Sequence, residues 1–204
     1  TIEHWETFLP GLQHAIQESP ACVLYAVGGG LAADAAKYLA LKSGAPLVCL
    51  PTALSVDAFF TWASGIRKDG CVRYIVTKPP EQLLIDWQVI AAAPPGLRAA
   101  GICDVLSIAT GNWDWQYAEQ KGQNPPEMRF IPYVSQAAQA ILQGALDCAE
   151  AAGRGDADGL KQLLDCLCLE VQLCNQIGHA RPEEGSEHYF AYAVENLAGH
   201  GLPH

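Results

Sequence analysis

The sequence has few basic residues, and this scarcity excludes two classes of partner. Lys and Arg together number 12 against 22 Asp and Glu, which gives a formal net charge of −10. A nucleic-acid or anionic-membrane surface needs clustered Lys and Arg, so we expect neither partner. A phosphorylated ligand is not excluded, because helix N-termini and glycine loops bind anions without side-chain charge.

The chain also lacks closely spaced cysteine pairs and long apolar runs. Its eight cysteines include no CxxC pair, so a zinc ribbon or a thioredoxin-type site has no support. Cysteine as a small buried apolar residue in a reducing cytosol is the simpler interpretation. The apolar runs are too short to span a bilayer, and no basic, apolar-cored signal segment begins the sequence. We therefore expect a cytoplasmic protein without membrane insertion.

Short apolar runs alternate with helical patterns over residues 1–92. The run ACVLYAV at 21–27 leads into three glycines, and the helical stretch after them ends at Gly44. The runs PLVCLP, CVRYIV and QLLIDW are further strand candidates, and HWETFLPGLQHAIQ predicts a helix before the first strand. Strand, glycine turn, helix and strand in this order predict a parallel sheet.

The strand candidates stop in the second part of the chain, residues 93–204. Four stretches there have helical patterns and are separated by glycine or proline: GLRAAGICDVLSIATGNWDWQYAEQ, VSQAAQAILQGALDCAEAAG, DADGLKQLLDCLCLEVQLCNQIGHA and GSEHYFAYAVENLAG. The chain is therefore predicted to have an α/β domain over residues 1–92 and an all-α domain over residues 93–204. Clefts between domains commonly hold ligands.

Two motifs fall at the carboxyl ends of predicted strands. VGGGLAADAAK places Gly28, Gly29 and Gly30 before a helix that carries Asp34, so backbone amides and the helix dipole can face a phosphate. The alternative is a tight turn with no ligand, and the spacing is not GxGxxG. LPTALSVDAFF offers two hydroxyls and a carboxylate at the same edge of the sheet, although an ordinary capped loop would have the same composition.

Separated acidic and imidazole side chains form a candidate metal site. Asp104 is a carboxylate on an apolar helix, which is costly unless it is paired or ligating. His188 follows a Gly-Ser pair, and either His200 or His204 lies in the closing segment. One Asp and two His would leave an ion an open position for a substrate oxygen. Each residue alone is equally well a surface or hydrogen-bonded polar group, and the wide spacing does not decide.

Taken in order, these stretches resemble the iron-containing alcohol dehydrogenase superfamily in its glycerol dehydrogenase branch. The segments are GGGLAADAAK, PTALSVDAFF, AAGICDVLS with WDW, RPEEGSEH and a closing His, and their wording leans towards glycerol-1-phosphate dehydrogenase-like members. The resemblance implies a dehydroquinate synthase-like fold, with a partial α/β NAD(P)-binding domain and a helical metal and substrate domain. It also implies NAD or NADP and one divalent metal ion, with zinc expected and iron or nickel as alternatives.

The resemblance assigns roles position by position. The metal ligands would be Asp104, His188 and His204, with His204 preferred to His200 for its distance from His188. The catalytic groups would be Asp57, as the acid near the substrate, together with Asp104 and His188. The remaining matches concern the cofactor. The pyrophosphate turn and its helix match Gly28, Gly29, Gly30 and Asp34. The loop that contacts the cofactor matches Thr52 and Ser55.

The function implied is hydride transfer between a small polyol, or polyol phosphate, and its ketone. A dehydroquinate synthase-like cyclase and a non-catalytic member of the fold are the alternatives. Arg67, Lys68 and Arg73 are candidate phosphate contacts, although solvated surface charges are the simpler interpretation, and a homo-oligomer is compatible with the sequence. Family members carry further strands before the glycines and continue past the last histidine, so we expect this sequence to be an internal portion of a longer protein.

Overall fold

A computed structural model describes residues 1–68, 71–98 and 100–198, with the side chain of Cys71 excluded. Nine helices and a 3₁₀ turn at Pro126–Met128 account for most of these residues. The helices are α1 (Ile2–Glu6), α2 (Leu9–Glu18), α3 (Gly30–Ser43), α4 (Trp87–Ala91), α5 (Pro95–Arg98), α6 (Ala100–Gln120), α7 (Pro132–Arg154), α8 (Ala157–Ile177) and α9 (Ser186–Ala198).

A parallel sheet forms the first layer of the fold. Strands β1 (Leu24–Gly28) and β2 (Leu47–Pro51) pair in parallel along their whole length, and a short strand, β5 (Gln82–Leu83), pairs with the other edge of β2. Helix α3 connects β1 to β2 and ends where Gly44 adopts a left-handed conformation, φ 76°. The predicted strand, glycine turn, helix and strand are therefore confirmed.

Three details of the first part differ from the sequence-based expectation. CVRYIV does not join the parallel sheet: strand β4 (Cys71–Val76) pairs antiparallel with β3 (Ala63–Lys68), which the sequence reading missed. QLLIDW contributes only the two residues of β5 to the sheet. The single leading helix is in fact α1 and α2, because Pro10 stands in the first turn of a new helix, where proline is tolerated.

Helices α6, α7 and α8 pack around a second core, as the helical patterns predicted. Its fully buried members include Val105 and Ile108 on α6 and Leu163 and Leu167 on α8. In the described part of the chain no strand follows β5. None of the described helices combines the length and the apolar composition that a membrane crossing requires. The seven cysteines with described side chains are free thiols.

The segment between β2 and β3 connects the two cores. Leu54 is fully buried in the helical core, whereas Phe59 is buried in the core beneath the parallel sheet. Phe60 packs against both cores. Because both ends of this segment are buried, the polar residues between Leu54 and Phe59 are fixed at the junction of the sheet and the helices.

A buried lysine joins helix α3 to the hairpin. Lys37 is fully buried, and its Nζ lies 3.2 Å from Asp34 Oδ1 and donates to Thr61 Oγ1 at 2.8 Å. It also donates to the carbonyl oxygen of Ala63, at the start of β3. Burial lowers the pKa of Lys37, and the Asp34 carboxylate opposes that shift. The hydrogen bonds of Lys37 to Thr61 and Ala63 hold α3 against the hairpin, and Asp34 neutralises the buried lysine from the same helix.

Replacing Lys37 by Met should therefore destabilise the protein strongly. The variant removes the cation beside the partly buried Asp34 carboxylate and the hydrogen bonds to Thr61 and Ala63, at a cost of about 3–5 kcal/mol. Urea unfolding measures this cost. Lys42→Met is the matched control, because Lys42 is exposed in the last turn of the same helix, and it should change stability by about 0.5 kcal/mol or less. Equal stability of the two variants would contradict the role assigned to Lys37.

Candidate active site between the sheet and the helices

A cavity of about 590 Å³ lies where the glycine turn, the hairpin and the helices meet. Its walls come from the start of α3, the segment 55–58, both hairpin strands, α6, α8 and the residues that lead into α9. A smaller hollow of about 210 Å³ adjoins it. Asp104 and His188 line both spaces, so the structure brings these two candidate ligands together from separate helices.

The three glycines at the start of α3 have different roles. Gly28 has φ 151°, a conformation that L side chains rarely adopt, and an added Cβ would lie 2.8 Å from Ala32 Cβ. A Cβ on Gly30 would lie 2.7 Å from Val56 Cγ2, so only glycine lets α3 approach this segment. A Cβ on Gly29, the N-cap of α3, would meet nothing within 4 Å. The turn therefore offers open backbone at the helix N-terminus.

The other candidate cofactor residues lie around the same turn. The backbone N–H of Thr52 donates to Gly28 O at 3.0 Å, where β1 and β2 both end. Ser55 and Asp34 line the large cavity together with Gly30. Besides its ion pair with Lys37, Asp34 accepts a hydrogen bond from the N–H of Gly65 through Oδ2 at 3.2 Å. The Asp34 carboxylate thus helps to hold β3 of the hairpin against α3.

Three carboxylates converge inside the cavity. One carboxylate oxygen from each of Asp57, Asp104 and Glu170 lies within 4.8 Å of the other two. The backbone N–H of Asp57 donates to Asp104 Oδ2 at 2.9 Å, which orients the Asp104 side chain. Glu170 is only 3% exposed, and neither of its carboxylate oxygens has a hydrogen-bond partner.

Helix α6 positions His188 as well as Asp104. The backbone of Gly185 lies so close to α6 that an added Cβ would be 2.7 Å from the nitrogen of Gly111. Asn112 Nδ2 donates to Pro182 O at 2.7 Å, and Asp114 Oδ2 accepts from the N–H of Ser186 at 2.6 Å. Helix α9 begins at Ser186, as the Gly-Ser pair predicted, and its first turn is thereby anchored on α6.

The imidazole of His188 is held by neighbouring carboxylates. Its Nδ1 lies 2.7 Å from Glu187 Oε1, and its Nε2 lies 4.0 Å from Glu184 Oε1. The same Glu187 oxygen accepts the N–H of Gly185 at 2.9 Å. A carboxylate on one ring nitrogen is the usual way of fixing a ligand imidazole, because it sets the tautomer and the ring orientation.

The hairpin and α9 meet through two polar contacts at the cavity. Arg67 on β3 donates to Glu195 from Nε at 3.1 Å and from Nη2 at 2.7 Å, in a bidentate ion pair. The hydroxyls of Tyr74 on β4 and Tyr192 on α9 are 2.7 Å apart. Arg67 is therefore paired with a protein carboxylate although it is exposed, as are Lys68 and Arg73.

Crowding of carboxyl groups raises their pKa values. Burial, followed by the Asp104 charge, raises the pKa of Asp57 well above its ordinary value, although Lys37 opposes this shift. Burial and Asp104 also raise the pKa of Glu170. Burial, with Glu184 next, raises the pKa of Glu183 to about 8. Burial therefore shifts all three groups towards their protonated forms.

The sequence reading missed Glu170, Glu183 and Glu184, which all line the large cavity. Glu170 was detectable by the argument that identified Asp104, since it stands in the apolar helical run LCLEVQLC. The two other glutamates precede Gly185 in RPEEGSEH, where their sequence neighbours give no sign of burial. His204, the third proposed metal ligand, and His200 lie outside the described residues.

The contact between Gly185 and α6 gives a stability test. Gly185→Ala inserts a methyl group against the backbone of Gly111, and such overpacking costs about 1–3 kcal/mol. Gly153→Ala is the control, because a Cβ there meets nothing within 4 Å and helical alanine is favoured by about 1 kcal/mol. Urea unfolding should separate the two variants by their opposite signs. A Gly185→Ala protein as stable as the control would contradict the close approach.

The raised pKa of the Glu183 carboxyl group can be tested by the pH dependence of stability. Its carboxyl has a native pKa of about 8 against an ordinary value of 4.5, so the native state binds more protons between these values than the unfolded state does. Glu183 should therefore stabilise the metal-free protein most below pH 4.5, and its contribution to the free energy of unfolding should decline as the pH rises to about 8. Glu183→Gln should flatten this decline, whereas the exposed control Glu150→Gln should leave it. Parallel profiles for all proteins would contradict the assignment.

Comparisons of the sequence with known proteins point to a dehydrogenase family. The family described as iron-containing alcohol dehydrogenase matches residues 4–94. The glycerol-1-phosphate dehydrogenase [NAD(P)+] of Sulfurisphaera tokodaii is 34% identical over 172 residues, which cover 84% of this chain and 48% of that protein. The chain spans about half the length of the curated relatives it matches.

Solved structures with the same fold support the relationship. Glycerol dehydrogenase from Schizosaccharomyces pombe superimposes with a TM-score of 0.64 at 24% identity, over 91% of this chain and 48% of that one. Sulfoacetaldehyde reductase from Bifidobacterium kashiwanohense, solved in complex with NAD+, gives a TM-score of 0.67 at 16% identity, over 97% and 54% of the two chains. The sequence matches show that the chain is similar to iron-containing alcohol dehydrogenases, with glycerol-1-phosphate dehydrogenases among its relatives, and the solved structures show that it shares their fold.

Proposed function

We propose that the protein is a metal-dependent, NAD(P)-linked oxidoreductase that interconverts a small polyol or polyol phosphate and its ketone by hydride transfer. The observation that carries this proposal is that Asp104, His188 and the glycine turn at Gly30 open onto one cavity. A carboxylate and an imidazole suit a divalent ion, and the start of a helix suits a pyrophosphate. The name of the S. tokodaii relative, glycerol-1-phosphate dehydrogenase [NAD(P)+], supports the substrate class.

Asp104 and His188 would hold the divalent ion, with His204 as the third ligand. The residues fit such an ion, since Asp104 is oriented by the Asp57 amide and His188 by the Glu187 carboxylate. When bound, the ion supplies Lewis acidity to the substrate oxygen. Zinc is the metal we expect, and iron or nickel would suit the same ligands.

The glycine turn would bind the cofactor. Gly29 exposes its backbone at the N-cap of α3, and the dipole of this 14-residue helix favours an anion there. Asp34 would act indirectly in this site, by holding α3 to the hairpin through Lys37. Thr52 and Ser55 would supply hydroxyls beside the turn. NAD or NADP, when bound, supplies the acceptor or donor of the hydride.

Asp57 would act as the proton donor or acceptor next to the substrate. Its carboxyl lies in the cavity beside Asp104, and burial raises its pKa, which favours the protonated form. A protonated Asp57 can donate a hydrogen bond to a substrate oxygen, and an ionised one can accept from a hydroxyl. The Tyr74–Tyr192 and Arg67–Glu195 contacts would limit the access of water from the hairpin side.

We propose two domains, a partial α/β NAD(P)-binding domain at residues 1–92 and a helical metal and substrate domain at residues 93–204. The partner would be a small molecule, with no nucleic acid and no membrane insertion, and a homo-oligomer is compatible with this arrangement. The free thiols suit a reducing compartment, and we place the protein in the cytoplasm.

Asp104→Asn tests the proposed function. The variant loses the charge that binds the ion, so metal content should fall, and kcat/KM for reduced nicotinamide formation should drop by about 10³-fold or more. The substrates are glycerol and glycerol 1-phosphate, each with NAD and NADP, and elemental analysis measures the metal. Asp165→Asn, at an exposed site on α8, is the matched control and should behave as wild type. Retained metal and turnover in the Asp104 variant would refute the assignment.

A further inference from the structure

The cluster of Asp57, Asp104 and Glu170 is not explained by an ion held through Asp104 and His188. His188 does not belong to the group of described side chains whose ligand atoms all lie within 4.8 Å of one another. Its Nδ1 is engaged by Glu187, on the side of the smaller hollow. Glu170 lines only the large cavity of the two. Asp104 therefore stands between two separate groups of candidate ligands.

Glu170 is the observation that points most directly to a cation ligand. The residue is only 3% exposed, and neither carboxylate oxygen has a hydrogen-bond partner. A buried carboxylate without partners costs free energy unless it is protonated or binds a cation. One of its oxygens lies within 4.8 Å of an oxygen of Asp57 and of an oxygen of Asp104, so the unsatisfied group belongs to the cluster.

The nearby basic side chains are committed elsewhere. Lys37 Nζ is surrounded by Asp34, Thr61 and the backbone of Ala63. Arg67 makes its bidentate pair with Glu195 on α9. Glu183 and Glu184 also line the cavity, and neither supplies a positive charge that could offset the cluster.

We propose that Asp57, Asp104 and Glu170 form a binding site for a second, oxygen-ligated divalent cation of the Mg²⁺, Mn²⁺ or Ca²⁺ class. Oxygen atoms that bind one such ion at about 2.0–2.6 Å are at most about 5 Å apart, which agrees with the separation within the cluster. Hard cations of this class prefer carboxylate oxygens, whereas an imidazole suits zinc, iron or nickel. Asp104 is shared between this ion and the ion at His188.

Manganese binding to the zinc-loaded full chain tests the proposal, because electron paramagnetic resonance distinguishes free from bound Mn²⁺. The wild type should bind one Mn²⁺ per chain. Glu170→Gln, which preserves the side-chain shape, should weaken Mn²⁺ binding at least tenfold and leave the zinc content unchanged. His188→Ala should have the opposite effect: it should lose zinc and retain Mn²⁺. The exposed control Glu150→Gln should match the wild type for both ions.

Three results would overturn the proposal. They are the absence of Mn²⁺ binding by the wild type, an unchanged Mn²⁺ affinity in Glu170→Gln, and a joint loss of both metals from each variant, which would indicate one composite site. Circular dichroism checks that Glu170→Gln is folded. If it is not, Asp57→Asn replaces it, with the same expectation for Mn²⁺. Since none of these readouts needs turnover, they remain informative even if the proposed oxidoreductase activity is not found.

Discussion

The candidate site depends on the close approach of the segment 182–186 to helix α6. Gly111 and Gly185 let the two backbones touch, and Asn112 and Asp114 bind the segment on either side of that contact. The same helix carries Asp104 about two turns earlier. A single rigid element thus supports the acidic and the imidazole side chains, although 84 positions separate Asp104 from His188 in the sequence.

Electrostatic cost explains much of the remaining structure. Five carboxylates line the large cavity near α6 and α8: Asp57, Asp104, Glu170, Glu183 and Glu184. Burial raises the pKa values of three of them, Asp57, Glu170 and Glu183, and so favours their neutral forms. Such an arrangement is unfavourable for stability by itself, so it is expected where cations bind or protons are exchanged. The hydrogen bonds of Lys37 and the ion pair of Arg67, by contrast, stabilise the architecture, since each connects a helix to the hairpin or to the residue that leads into it.

Local patterns predicted the elements better than they predicted pairing and burial. The glycine turn, α3 and the four long helical regions followed from periodicity and from glycine stops such as Gly44. The hairpin was missed because pairing of β3 with β4 is a tertiary choice that an apolar run does not encode. Glu170 carried the same signal as Asp104, a carboxylate in an apolar helix, whereas the burial of Glu183 depends on α6 and was invisible in the sequence. The ordered set of motifs identified the family, and the roles of the individual site residues stay predictions.

The central claim is that Asp104 and His188 share one divalent ion next to the glycine turn. X-ray absorption spectroscopy at the zinc edge of the loaded protein tests it directly, because outer-shell scattering from imidazole distinguishes histidine from carboxylate ligands. The wild type should show an oxygen and nitrogen ligand shell with imidazole scattering, and His188→Ala should not retain the zinc. A wild-type spectrum without imidazole scattering, or a His188→Ala protein that keeps its zinc with an unchanged spectrum, would contradict the claim.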